Sequence, residues 1–281
     1  MKRRISLASV SSRLPHAIGG ALLLAAGLTA VPAQAGPKLE PSQASLSDIQ
    51  GCMESNLVDR GALRDLNVTV TDREGGSHGL RMKLYWKPGQ KGEPRVQLRL
   101  VEPLALNGSS YLLLQSGLQE QVYFHLPSAE NALHVTGKNM SEPLWGTDFS
   151  YGEIKQVLGL VFTGSTERHG DASINGRKVY VLETTNDPIL SGYRKVVSYV
   201  DQATCVLLKS EFFVKGEQPL KTLVADPASV LTLDDYSVAL NYTMRNHPAG
   251  SRTQIEMSDF TLLERLPEWM FDPQRFFDPY E

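Results

Sequence analysis

The residues in this chain with the means to do chemistry are few and scattered. The cysteines, Cys52 and Cys205, lie far apart, and His16, His78, His125, His134, His169 and His247 are spread along the sequence. None of the histidines forms a His-x-x-x-His pair beside a carboxylate. A zinc site gathers three or four such ligands, usually at short spacings, so no metal and no other cofactor is expected. No phosphate-cradling glycine loop is present. Glu167, His169 and Asp171 come nearest to an acid–base cluster, but they fall between Gly164 and Gly176, a stretch that reads as a solvated loop. His125 falls on the polar side of a strand pattern and reads as a surface residue. The chemistry-bearing residues therefore point away from an enzyme.

The N-terminus carries an export address. Lys2, Arg3 and Arg4 precede an uncharged run from Ala17 to Val31, and Ala33-Gln34-Ala35 supplies a small-x-small cleavage site before Gly36. That is the three-part secretory signal. The apolar run is shorter than the ~20 residues a spanning helix needs. Arg3-Arg4 also permits a twin-arginine route, although its neighbours fit that signal poorly. Gly36 stands where a lipoprotein would need cysteine, and the stretch before Cys52 is polar. These features predict a cleaved signal peptide over residues 1–35 and one periplasmic, monomeric domain over 36–281. Losing the segment removes Lys2, Arg3, Arg4 and Arg13 but no acid, so the mature chain is more acidic than the −3 of the full sequence. Such a surface gives little electrostatic reason to hold nucleic acid. In an oxidising compartment, Cys52 and Cys205 are expected to pair.

The elements that must position any site are mostly strands. Ser45 and Asp48 resemble a capping box, and Leu46, Ile49, Met53 and Leu57 follow at helical spacing. Period-two alternation then takes over, through Leu66, Val68 and Val70, Leu80 to Trp86, and Val96 to Leu100. It continues through 110–115, 120–126, 178–184, 194–200, 205–214, 219–225, 238–245 and 253–263. Ser150 and Glu153 match a second capping box, ahead of Ile154, Val157 and Leu158. The pattern predicts a mainly β fold of about ten or eleven antiparallel strands with two helices. So many strands have more dry face than two short helices cover. The sheet must fold back as a sandwich or curl around a cavity.

Several stretches resemble a known family. The segment Pro143-Leu144-Trp145-Gly146-Thr147-Asp148-Phe149-Ser150-Tyr151 is similar to the GTDFSY signature of outer-membrane lipoprotein-sorting proteins, the LolA-like group. Tyr193 to Asp201 resembles its Y-to-VD strand, Lys209 to Lys221 its hairpin ending in lysine, and Arg252-Thr253 its RT strand. Gly51-Cys52-Met53, Tyr111-Leu112-Leu113 and Phe124-His125-Leu126-Pro127 also fit. His125 departs from the usual tyrosine, and the basic run expected after that strand is thin, with Glu130, Asn131 and His134.

The resemblance implies a single curved antiparallel sheet, an incomplete barrel closed by helices over a hydrophobic cavity. It implies a periplasmic carrier that shields acyl chains of lipids or lipoproteins on the way to the outer membrane. The alternative is a non-enzymatic accessory module of an inner-membrane exporter. By shared parity, Met82, Leu84, Trp86, Leu98, Leu113 and Phe124 are expected to line the cavity, with Trp145 and Phe149 beside them. Gly146, Thr147, Asp148, Ser150 and Tyr151 read as a structural corner or as a hinge at the cavity mouth. At the C-terminus, Pro267, Pro273 and Pro279 break an aromatic stretch. There Trp269 and Phe271 are expected to be buried and residues 276–281 to be looser. Intact-mass measurement of the exported protein should give a chain starting at Gly36; a retained Met1 would refute cleavage.

Overall fold

The computed structural model describes residues 43–89, 93–116, 119–160, 164–233, 236–258 and 261–279. The expected signal peptide over residues 1–35, its expected cleavage site, Tyr280 and Glu281 lie outside them.

Helix α1 (Leu46–Ser55) starts where the capping box places it. The Asp48 N–H donates to Ser45 Oγ at 3.2 Å, and the Ser45 N–H donates to the Asp48 carboxylate at 2.8 Å. Ile49 and Met53 pack on Tyr180, Leu182, Val200 and Leu207. The Cys52–Cys205 disulfide ties the same helix to the chain 153 residues away. A bridge closing so long a loop contributes about 2–4 kcal/mol by restricting the unfolded chain.

The strands are β1 (Ala62–Thr71), β2 (Ser77–Pro88), β3 (Pro94–Glu102), β4 (Ser110–Ser116), β5 (Gln119–His125), β6 (Leu133–Val135), β7 (Ser165–Arg168), β8 (Ala172–Ile174) and β9 (Arg177–Thr185). They continue with β10 (Lys195–Asp201), β11 (Leu207–Phe213), β12 (Lys221–Ala225), β13 (Val230–Leu233), β14 (Tyr236–Ala239), β15 (Asn241–Asn246), β16 (Ser251–Met257) and β17 (Thr261–Leu262). Fifteen form one sheet in the order β6-β5-β4-β3-β2-β1-β16-β15-β12-β11-β10-β9-β7, with β17 beside β1 and β8 beside β9. The order runs from β6 to β7 without closing, so the sheet is an open, incomplete barrel. Strand β12 pairs directly with β15, and the β13–β14 hairpin between them leaves the sheet as a separate two-stranded flap.

Register sorts the side chains by face. Leu66 opposes Met82 and Met82 opposes Leu100, while Leu84 opposes Leu98 and Val96 opposes Leu113. Directly opposed residues share a face, so these line up in one apolar layer, the inner face. The outer face is not uniformly wet. Tyr85, Gln97, Leu112 and Tyr123 oppose one another in turn on that side. The C-terminal tail covers them, with Leu266, Met270, Phe271 and Phe276 buried against Tyr85 and Leu112.

Several local expectations need correction. The second helix does not start at Ser150. That residue bridges to Pro143, and a five-residue 3-10 helix runs only from Ile154 to Leu158, with no side-chain cap. The stretch from Gly164 to Gly176 contains β7 and β8. Asn175 and Gly176, at φ of 49° and 80°, form the tight turn into β9, as a two-residue Asn-Gly hairpin loop does. The strands around 238–245 and 253–263 are each broken in two, which with the short edge strands raises the count to seventeen among the described residues. His125 is buried, and its ring stacks on Phe277 at 3.9 Å. Trp269 is only half-buried, whereas Phe276 is fully buried. The Phe276 carbonyl accepts from the Gln97 side-chain amide and from Arg99, which also reaches the Asp278 carbonyl. The sheet's own polar groups thus fasten the tail. Phe276→Ala should lower unfolding stability by about 3–5 kcal/mol in urea titrations; a loss under about 1 kcal/mol would show that the tail is dispensable.

Candidate functional site

The residues expected to line a cavity do share one face. Met82, Leu84, Trp86, Leu98, Leu113 and Phe124 are buried in one core with Trp145 and Phe149. Of these, Leu84 and Trp86 border a pocket. Its floor is Ala62, Leu84, Trp86 and Met257, its cover is Val157 and Leu158 of the 3-10 helix with Tyr236 and Val238 of the flap, and Leu57 and Val58 close one side. The Trp86 Nε1–H donates to the Val58 carbonyl at 2.8 Å. Arg64 also lines the pocket and donates to Met257 Sδ at 3.9 Å. The volume is about 60 Å³, space for a few waters and well below the roughly 300–1,000 Å³ of small-molecule sites. Met82, Leu98, Leu113 and Phe124 lie in the packed layer beyond it. Phe124 meets Trp145 at 5.9 Å and the edge of Tyr151 at 5.1 Å.

The segment from Pro143 to Leu160 covers this face and is pinned there by a buried polar cluster. Leu144 donates to the Phe149 carbonyl at 2.8 Å, closing a turn with Trp145 at φ 50° and Gly146 at φ 71°. Asp148 then reaches the sheet. Its carboxylate accepts from Ser251 and, at 2.8 Å, from Thr253, and its N–H donates back to Thr253 Oγ1 at 2.8 Å. The Lys221 ammonium donates to the Asp148 carbonyl at 2.8 Å and to Glu153 at 3.0 Å. Glu153 also accepts from the Ser150 N–H at 2.7 Å and from the Tyr193 hydroxyl. Burial, and then the Glu153 charge, push the Tyr193 phenol far above its ordinary range, so it stays a proton donor. Gln156 accepts from Ser210 at 2.8 Å, and Lys155 pairs with Glu120 on β5.

This cluster could be seen only in pieces in the sequence. Thr147, Asp148, Ser150 and Tyr151 read as a corner or hinge, but the cluster's partners Tyr193, Lys221 and Thr253 come from distant segments. The signal that linked them was the family-like strings around 193–201, 209–221 and 252–253. The Ser150–Glu153 spacing is real as well: one half of the capping box, the backbone-to-Glu bond, forms. Chemically the arrangement is a clamp. Each carboxylate is held by donors. The expectation that the chain holds no Gly-x-Ser-x-Gly nucleophile elbow overlooks Gly75-Gly76-Ser77-His78-Gly79, which spells that pattern. It forms the exposed β1–β2 hairpin instead of the strand-to-helix turn that an elbow requires. Among the described residues no cluster of three or more His, Cys, Asp or Glu could hold a metal, and no helix is long and apolar enough to cross a membrane.

Comparison with known proteins supplies the family. A family described as an uncharacterized protein matches residues 93–276. Three solved structures share the architecture. A putative outer membrane lipoprotein-sorting protein domain from Vibrio parahaemolyticus is 23% identical with a TM-score of 0.70, covering 80% of this chain and 95% of its own. A DUF1329 family protein from Desulfovibrio piger is 19% identical with the same TM-score and coverage. A LolA superfamily protein from Nitrosomonas europaea is 18% identical with a TM-score of 0.61, covering 80% of this chain and 96% of its own. The chain belongs to the matched family, and its fold is LolA-like. No curated protein matches the sequence.

In this LolA-like fold the whole polar cluster, from Glu120 to Thr253, lies inside the family-matched span, whereas α1, β1 and β2 precede it. Its energetics rest on the Lys221–Glu153 pair, whose side chains are 9% and 0% exposed. Removing one partner of so buried a pair strands the other charge and costs about 3–5 kcal/mol. Lys221→Met should lose about that much in urea unfolding, and adding Glu153→Gln should restore part of it. A single mutant as stable as the parent would show that the pair does not hold the segment.

Proposed function

We propose that this protein is a periplasmic carrier that holds acyl chains of a lipid or lipoprotein against the inner face of its open sheet during transfer toward the outer membrane. The observation that supports the reading most is the continuous apolar inner face of a LolA-like sheet, with a pocket under the flap and the 3-10 helix. A lipid crossing an aqueous gap exposes hydrocarbon, and each methylene placed on such a face gains about 0.8 kcal/mol. The pocket of about 60 Å³ is too small for a chain as it stands, so loading requires the flap and the 143–160 segment to move outward. Gly146 to Tyr151 then act as the hinge, with Asp148 as its fastening to Thr253. Cargo lies along Leu84 and Trp86 first and reaches Met82, Leu98, Leu113, Phe124, Trp145 and Phe149 as the cover lifts.

The small size of the pocket also favours a second reading, a non-enzymatic accessory module that docks on an inner-membrane exporter without carrying cargo. Native mass spectrometry of protein isolated from the periplasm, followed by lipid extraction, separates the two. The carrier reading expects a mass increment matching an extractable acyl lipid or a bound lipoprotein. Protein that is uniformly unliganded, and that takes up no lipid from vesicles, would contradict it.

A further inference from the structure

We propose that the indole N–H of Trp145 is the donor that receives the carbonyl oxygen of the cargo's acyl ester or amide; the inference rests on the carrier reading and names the group the carrier recognises. Two costs coincide at this residue. Trp145 is 9% exposed, and its Nε1 is buried without an acceptor among the described residues. A buried N–H that finds no partner forfeits the hydrogen bond it would make to water. Its backbone also sits at φ 50°, a region that bulky residues avoid. A site that tolerates both is a candidate for function, because a ligand can supply what the protein withholds.

Three other donors of this core are already committed. The Trp86 N–H is held by Val58, the Tyr111 hydroxyl by the Tyr151 carbonyl at 3.0 Å, and the Thr147 hydroxyl by the Leu144 carbonyl at 2.8 Å. Trp145 belongs to the same aromatic patch, against Phe124, on the face built of Leu98 and Leu113. A chain lying on that layer puts hydrocarbon on Phe124 and Tyr151. The strongest hydrogen-bond acceptor near the head of an acyl chain is its carbonyl oxygen. A neutral acceptor suits the place, because an anion buried among these rings would pay a far larger desolvation cost. The ester of a glycerolipid and the amide of an N-acylated protein both present this oxygen.

The test uses three single-chain probes of equal chain length and head group, joined by an ester, an amide or an ether, titrated calorimetrically into the full mature protein. Wild type should bind the ester, the amide or both roughly threefold to tenfold more tightly than the ether, the worth of one neutral hydrogen bond. Preference for the ester alone points to a glycerolipid, and for the amide alone to an acylated protein. Trp145→Phe keeps an aromatic ring and removes the N–H, so it should bind all three probes equally, without the carbonyl preference. Equal binding of all three probes by wild type overturns the inference and leaves the carrier reading standing, as does a preference that survives in Trp145→Phe. Binding of none overturns both. Should the variant misfold, the wild-type comparison decides alone.

Discussion

An open antiparallel sheet with one apolar face has to hide that face without closing on itself. Fifteen strands present a layer running from Val135 at one edge toward Leu182 near the other, and water-exposed hydrocarbon of that extent would drive association. The chain meets the constraint with covers that are separate from the sheet: α1, the 143–160 segment and the β13–β14 flap. How firmly each is attached decides what the molecule can do. The 143–160 segment is fixed by charge and hydrogen bonds more than by grease, through Asp148 on Thr253, Glu153 on Lys221 and Tyr193, and Gln156 on Ser210. Buried polar contacts of this kind are specific in geometry and come apart as a unit, because one left half-made is costly. That is a suitable attachment for a cover with one closed position and a distinct open one.

The other two attachments differ in kind. Helix α1 is joined covalently at Cys52, and Asn56 just beyond it donates to the Thr204 carbonyl at 2.8 Å and accepts from the Ser237 N–H at 2.7 Å. One asparagine therefore links the helix end, the β10–β11 turn and the flap at the rim of the pocket. On the outer face the tail closes Tyr85 and Leu112 away from water, with Glu268 held by Lys87 and Arg95. Those two hydrogen bonds hold the Glu268 carboxyl below its ordinary range. The tail makes β2 to β5 a two-sided core.

Much of this was legible from alternation alone. Leu80 to Trp86 and Val96 to Leu100 fix both the strands and the face that each residue takes, because a side-chain period of two leaves no other choice once one face is buried. What failed to read was non-local. Ser150 and Glu153 match a helix start, yet the Pro143 bridge and the reach of Lys221 to Glu153 hold that backbone in a turn. Strand β7 (Ser165–Arg168) lacks an apolar stripe because it lies at the edge, β8 offers only Ala172 and Ile174, and Asn175-Gly176 is the hairpin signal between β8 and β9. Phe276 looked loose because it follows a run of prolines. Its burial depends on Gln97 and Arg99 turning their donors toward the tail, which no local pattern announces. The Trp145 conformation is equally invisible in sequence, since only the assembled turn leaves its N–H without an acceptor.

The account stands on the inner face being the surface that takes the chain. An acyl probe carrying a diazirine at its tail, bound to the mature protein, irradiated and mapped by peptide mass spectrometry, reports that surface residue by residue. The account predicts adducts on Leu84, Trp86 and Met257, on Val157 or Leu158 above them, and on Tyr236 or Val238 of the flap. Adducts confined to the outer face, around Leu63, Leu114 or the tail, would contradict it.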